Sequence, residues 1–437
     1  MSASLALEVL HALRAAGHEA YFAGGSVRDR LLGRPAADYD VATAARPEAV
    51  ERLFPRHSAV GARFGVILVH GEAGQPVEVA TFRSDLGYDD GRHPNEVRFS
   101  RDWREDVRRR DFTINGLLLD PVRGEVLDAV GGKADLAAGM IRAIGSPQAR
   151  FREDRLRLLR AVRFAAQLDF ALETATAAAI QAEAAALPVV SAERMRDELL
   201  KMLTEGRARR AFELLDELRL LAVVLPEVAA MKGVAQPPEF HPEGDVWTHT
   251  LLMLAALPAG VDPVLALGVL LHDVGKPPTF RQAPDRIRFD QHAAVGAAMA
   301  ERMGQRLRLS REQTREVASL VAQHMKFIDV RRMRTSTLKR FFRQPGFERH
   351  LELNRLDCQT SHGDLSGYEF VRAQMAATPE EEARPPRLIT GDDLAALGYP
   401  AGPIYREILS AVEDAQLEGR LGSREEAVAF LRTHFPR

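Results

Sequence analysis

Leu5, Val9, Leu10 and Leu13 recur at three- and four-residue intervals, which predicts an amphipathic helix over 5–16. The pattern then changes. Residues 19–23 are short and apolar and run into Gly24-Gly25, as a strand entering a turn does. Residues 28–32 read as the start of a helix, and 38–42 alternate acid and apolar positions, a strand signal. "GVILVHG" and "VEVATF" are two further strands, rich in β-branched residues. Between 83 and 106 the polar stretch "RSDLGYDDGRHPNEVRFSRDWRED" carries Gly, Pro and Asn breakers and predicts a long loop. Loops of that length in compact domains are usually functional or mobile. From 153 to about 363 the apolar period is 3.6 nearly throughout, as in "EDRLRLLRAVRFAAQL" and "SAERMRDELLKML". Residues 379–386, rich in Pro and Glu, read as a linker, and a last helical stretch covers 389–435. The expected class is α+β, with a mixed sheet and its helices first and an extended all-α region after it.

At 437 residues the chain is too long for one ordinary domain, and two to four are expected. A 46% hydrophobic fraction supplies ample core. The net charge of -2 gives no global signal for nucleic acid, so local clusters must carry any such argument. Cys358 is the one cysteine, which excludes an internal disulfide and fits a reducing compartment. The opening segment lacks the basic start and long apolar core of a secretory signal. The longest apolar run, near 264–271, is far short of a membrane span. A cytoplasmic location and no membrane partner are expected.

Asp38 and Asp40 project side by side if 38–42 is a strand, because residues two apart share a face. Two like charges so placed fit either a solvated strand end or a site for a divalent cation. Mg²⁺ takes one or two carboxylates together with phosphate oxygens. The nearby glycine pair lets backbone N–H groups approach a phosphate without obstruction from a Cβ. The two features within twenty residues favour metal-assisted phosphoryl transfer over the solvated end. Glu78 on "VEVATF" is a candidate third acid, or equally a simple edge residue.

"GGSVRD", "DYD", "RRDFTING", "EDRLR" and "SAERMRDELLKML", in this order, resemble the motif series of the class II tRNA nucleotidyltransferases. These are the CCA-adding enzymes of the DNA polymerase beta-like superfamily. The similarity runs from residue 20 to about 365. Gly116 stands where that family usually shows alanine. The resemblance implies a nucleotidyltransferase head with catalytic, Mg²⁺-holding Asp38 and Asp40. It further implies nucleotide binding by Gly24, Gly25, Arg28, Arg109, Arg110, Asp111, Asn115, Asp154, Arg157 and Arg160. From spacing alone, Asp154 and Arg157 on a helix are a plain ion pair. In the family the two act as a protein template for the incoming base. Asp only accepts and Arg only donates, a pattern that cytosine and adenine complement and that uracil and guanine do not. The implied partners are CTP, ATP and the 3′ end of tRNA, with no DNA. The presence of the 83–106 segment argues against an enzyme adding only CC; one adding only the final A stays open. A poly(A) polymerase of the same superfamily is disfavoured by the weakly basic tail.

A second constellation lies in the helical half: His249, His272, Asp273, His292, His324 and Asp357. Single histidines on apolar helices are usually core or surface residues, but six such ligands in the order H, HD, H, H, D are hard to explain that way. Imidazole and carboxylate donors suit a transition metal and hydrolysis. The order resembles the HD phosphohydrolase domain fused to some bacterial CCA-adding enzymes. That resemblance implies phosphatase and 2′,3′-cyclic phosphodiesterase chemistry with a metal such as Ni²⁺ or Mn²⁺. The expected division is a head over 1–145, a helical neck over 146–225, the HD domain over 226–370 and a helical tail over 371–437. Among many arginines, "DVRRMRTSTLKRFFR" has few acids and interleaved aromatics, and is the expected RNA backbone contact.

Overall fold

A computed structural model of the chain describes residues 2–36, 38–61, 64–72, 76–86 and 96–436. The chain divides into two compact units, Met1–Ala230 with Leu257–Val261, and Met231–Ala256 with Asp262–Arg437.

The first unit is built on β1 (Ala20–Ala23), β2 (Asp40–Thr43), β3 (His57–Gly61), β4 (Val66–Val69), β5 (Val77–Thr81), β8 (Leu117–Asp120) and β9 (Glu125–Asp128). They form one seven-stranded sheet in the order β3-β4-β5-β2-β1-β8-β9. β2 and β5 run parallel, with Val41 opposite Val79, and the other neighbouring pairs are antiparallel. The predicted helix forms over Ser2–Ala15 and buries Val9, Leu10 and Leu13 completely. The sheet supplies Val41, Ile67, Val77 and Val79 to the core. Beyond the sheet, Leu156–Leu168, Ala192–Thr204 and Ala208–Glu217 are amphipathic helices with buried Leu, Val and Phe faces.

The second unit is helical. Pro263–Leu271 carries apolar residues on every side and is buried all round, as such a helix must be. Further along, Ile389, Leu394, Ile408, Val412 and Leu431 make a separate small core from the three helices Gly391–Ala396, Pro403–Leu417 and Arg424–His434. No helix among the described residues is long and apolar enough to cross a membrane.

The structure corrects several sequence expectations. The stretch 83–106 is not one loop: Arg83–Leu86 (β6) pairs antiparallel with Glu96–Phe99 (β7), and Trp103–Arg108 is a helix capped by Asp102. Its middle, 87–95, lies outside the described residues. Period-two patterning in this polar hairpin is weak, so the breakers dominated the reading. The helical half also contains a hairpin, Phe280–Gln282 with Ile287–Phe289. The expected linker holds a helical turn, Glu380–Ala383, whose Ala383 is packed in a cluster with Phe342 and Val371.

Candidate functional site

The strand at the aspartate pair begins at Asp40, with Asp38 in the approach to it. β5 lies between β4 and β2, so its Glu78 is on an interior strand and not an edge one. Burial, the Glu78 carboxylate and then Asp38 push the Asp40 carboxyl up to about 6, against the pull of Arg110. Glu78 is raised too, mainly by burial, although its side chain still reaches solvent. Glu78 and Asp38 both raise the proton affinity of Asp40, which leaves that carboxyl in want of positive charge, as a cation-holding carboxylate is before the cation's own field is added. The residues therefore fit a divalent cation.

Gly24 forms the turn that borders these groups. Its φ of 68° favours glycine, and a Cβ there would stand 3.4 Å from the Arg110 guanidinium and 3.7 Å from Asp40 Oδ2. Arg109 and Arg110 both bind Asp106, which is 1% exposed: Arg109 reaches one carboxylate oxygen at 2.6 Å and Arg110 the other at 3.0 Å. The sequence reading missed Asp106. Its signal was the i, i+3 and i, i+4 spacing within "DVRRR".

Arg28, Asn115, Asp111 and Arg160 form one network. Arg28 donates to Asn115 Oδ1 at 2.9 Å, Asn115 donates to Asp111 Oδ1 at 3.1 Å, and Arg160 donates to Asp111 Oδ2 at 2.8 Å. Burial would raise the Asp111 carboxyl, but Arg160, Asn115 and Arg157 hold it down to about 2. Phe164 lies beneath the guanidinium groups of Arg28, Arg160 and Arg163. Gly25 opens the helix Gly25–Leu31, three residues ahead of the expected start.

Asp154 and Arg157 do not share a helix face. The helix Pro147–Glu153 stops, Asp154 is extended, and a new helix starts at Leu156. Asp154 accepts from Leu156 N at 3.0 Å and from Arg194 at 2.7 Å. Arg157 pairs instead with Glu153 at 2.7 Å and donates to the Arg109 carbonyl at 3.0 Å. The break faces the two side chains to different partners, which a uniform 3.6 period could not show.

In the second unit the six predicted ligands come together from separate elements. His249 stands in the helix Val246–Ala255, His272-Asp273 follow Pro263–Leu271, His292 opens His292–Arg306, His324 follows Arg311–Gln323, and Asp357 lies in Phe347–Thr360. They form two groups, His249–His272–Asp357 and Asp273–His292–His324, joined through the neighbours His272 and Asp273, 3.1 Å apart. His292 and His324 each direct Nδ1 at a backbone carbonyl, which can only accept, so each ring turns a bare Nε2 inward. These two nitrogens are 3.2 Å apart, and lie 3.6 and 3.7 Å from Asp273 Oδ1. Donors about 2.0–2.1 Å from a tetrahedral ion sit about 3.4 Å from one another. Lone pairs facing at this distance repel unless a cation lies between them, so this set fits a metal. Burial lowers His292 and takes His324 down to about 4, which keeps both in the neutral, ligating form. Burial opposes protonation at His249 too, but Asp357 and Glu243 beside it lift it to about 9. Lys276, 2.7 Å from Asp273 and 2.6 Å from Gln236, is a further buried charge that the sequence reading passed over. The cluster opens into a cleft of about 870 Å³ with Phe240, Lys276, Arg288 and Ile328 on its walls.

The stretch expected to meet RNA is largely engaged within the protein. Arg340 and Arg343 pair with Glu413, and Lys339 with Glu382. Arg332 and Arg334 remain exposed.

Three family descriptions match the chain: "Poly A polymerase head domain" over residues 20–142, "Probable RNA and SrmB- binding site of polymerase A" over 169–232, and "HD domain" over 246–354. The CCA-adding enzyme of Lactobacillus helveticus is 42% identical over 255 residues, 57% of this chain and 63% of that protein. That of Enterococcus faecalis is 48% identical over 198 residues, 45% of this chain and 48% of that protein. The chain thus spans about half to two thirds of the length of the curated relatives it matches. The crystal structure of the Bacillus stearothermophilus CCA-adding enzyme in complex with CTP is 28% identical, with a TM-score of 0.75 over 98% of this chain and 97% of that one. The chain therefore carries a poly(A) polymerase-type head, an RNA-binding segment and an HD domain in this order, and is similar in sequence and fold to CCA-adding enzymes.

Proposed function

We propose that the chain adds C, C and A to the 3′ end of tRNA from CTP and ATP, without a nucleic-acid template and with release of pyrophosphate. The observation that carries this reading is the meeting of Asp38, Asp40 and Glu78 with Arg110 at the Gly24 turn. A divalent cation at Asp38 and Asp40, Mg²⁺ in this reading, would activate the attacking hydroxyl and neutralise the leaving pyrophosphate. Arg109 and Arg110, held rigid by Asp106, supply fixed charge for a triphosphate. Gly25, Arg28, Asp111, Asn115 and Arg160 frame the nucleotide around one buried network. Asp154 accepts and Arg157 donates, which suits the amine and ring nitrogen of cytosine or adenine. Because Asp154 already accepts from Arg194 and Arg157 already pairs with Glu153, base recognition adds to or exchanges these contacts. In this reading the head covers 1–145, the neck 146–225, the HD domain 226–370 and the tail 371–437, in a cytoplasmic enzyme.

The test is sequencing of tRNA 3′ ends after incubation with CTP, ATP and Mg²⁺. A tRNA ending at its discriminator base should gain CCA. Extension only of tRNA already ending in CC would reduce the reading to A addition. Asp40→Asn should lower incorporation by about a thousandfold or more; persistent incorporation would remove Asp40 from the mechanism.

The facing Nε2 atoms of His292 and His324 favour a second activity, metal-dependent hydrolysis of phosphate esters such as 2′,3′-cyclic nucleotides, with Ni²⁺ or Mn²⁺. Chelation should abolish that hydrolysis and readdition of either ion restore it. Hydrolysis indifferent to chelation would refute the assignment.

A further inference from the structure

The four histidines of the HD cluster are not anchored alike. His272, His292 and His324 each place Nδ1 against the carbonyl three residues back, Val269 at 2.9 Å, Phe289 at 2.9 Å and Val321 at 2.7 Å. A carbonyl fixes the proton on Nδ1 and leaves Nε2 as the donor to a metal. His249 has no such carbonyl, and neither of its ring nitrogens has an aligned hydrogen-bond partner. Its Nδ1 instead lies 2.7 Å from Glu243 Oε1, and its Nε2 lies 3.1 Å from Asp357 Oδ1. The same Glu243 oxygen is 2.9 Å from Nδ1 of His241, whose ring meets that of His249 edge-on at 5.0 Å.

Glu243 lies against these two rings and away from solvent. Its side chain is only 8% exposed, and Oε2 is buried with no hydrogen-bond partner. A buried carboxylate left half unsatisfied is unfavourable unless positive charge is brought beside it. The turn that carries it is firmly held. Asp245 caps the following helix through Thr248 N at 2.8 Å and also accepts from Gly233 N at 2.6 Å. Val246 N donates to the Val234 carbonyl at 3.0 Å.

The geometry points to Glu243 as the positioning carboxylate of the HD cluster: from 2.7 Å it holds the ring of His249 on its Nδ1 side, which leaves Nε2 for a cation that His272 and Asp357 would share, and by the same oxygen it holds His241 at the wall of the cleft. The inference rests on the metal-dependent reading of this cluster. Glu243 does for His249 what a carbonyl does for the other three rings, with the difference that its negative charge makes the imidazole a stronger donor.

The test uses the full chain stripped of metal and titrated with Co²⁺, followed by calorimetry and by visible absorption, which separates a histidine-ligated ion from one held by carboxylates alone. Glu243→Ala should weaken Co²⁺ binding by about 10- to 100-fold and shift the absorption band. Glu243→Gln, which keeps an acceptor oxygen, should lose less and should still show an altered band. Thermal midpoint and nucleotide incorporation should stay at the wild-type level in both. If Glu243→Ala and Glu243→Gln both bind Co²⁺ within about twofold of wild type with an unchanged band, while His249→Ala is impaired, the positioning role is wrong. If the wild-type chain itself shows no histidine-ligated Co²⁺, the metal reading of the cluster falls and Glu243 falls with it.

Discussion

Gly116 shows how the immediate surroundings of one residue can require a glycine. A Cβ built there would approach Val130 Cγ2 at 2.8 Å, Val107 Cγ1 at 3.1 Å and Ile144 Cδ1 at 3.3 Å. Alanine therefore cannot enter without moving three apolar side chains. Gly116→Ala should destabilise the first unit by about 1–3 kcal/mol, the usual effect of overpacking; an unchanged urea midpoint would show that the neighbours yield freely. Asp111 carries the clearest pH dependence at this scale. Its carboxyl is held near 2 in the folded protein against an ordinary value of 3.8. A depressed folded pKa gives stability that is fully present above pH 4 and is lost as pH falls toward 2. The difference corresponds to about 2 kcal/mol. Asp111→Asn should flatten the acid limb of stability between pH 4 and 2, measured by denaturant midpoints at each pH. An equally steep limb would place the acid sensitivity elsewhere.

At the scale of elements, the neck is tied together by buried charge as well as by apolar faces. Glu198, 3% exposed on Ala192–Thr204, accepts from Arg163 of Leu156–Leu168 at 2.6 Å, and Arg160 stands 3.9 Å away. Removing one partner of such a pair leaves the other charge buried and alone. Glu198→Ala should therefore destabilise the first unit by about 3–5 kcal/mol, read from thermal or urea unfolding; a loss below about 1 kcal/mol would mean that solvent already screens the pair. The break between Pro147–Glu153 and Leu156–Leu168 works at the same scale. An uninterrupted helix would have set Asp154 beside Arg157; the break gives them instead to Arg194 and Glu153.

At the scale of the whole chain, the Asp38 and Asp40 acids lie in one compact unit and the clustered His and Asp residues in the other. The two proposed chemistries should therefore separate by mutation. Asp273→Ala should abolish metal-dependent hydrolysis, a loss of about a thousandfold or more, with CTP incorporation intact in the same preparation. A parallel loss of incorporation would mean that the HD cluster also supports the head.

Sequence by itself determined the parts whose signal is local. Period-3.6 spacing marked the helices, β-branched runs marked β4 and β5, and the ordered motifs singled out the six His and Asp side chains that assemble in the second unit, because each depends on residue type and short spacing. Only the tertiary structure decided matters set by residues far apart in the chain. It brought Glu78 beside Asp40 through a parallel strand pair, and divided six ligands into two groups. It gave Asp154 to Arg194, and placed Glu243 against His249. Those pairings depend on which elements pack together and on where a helix breaks, and no periodicity along the chain encodes either.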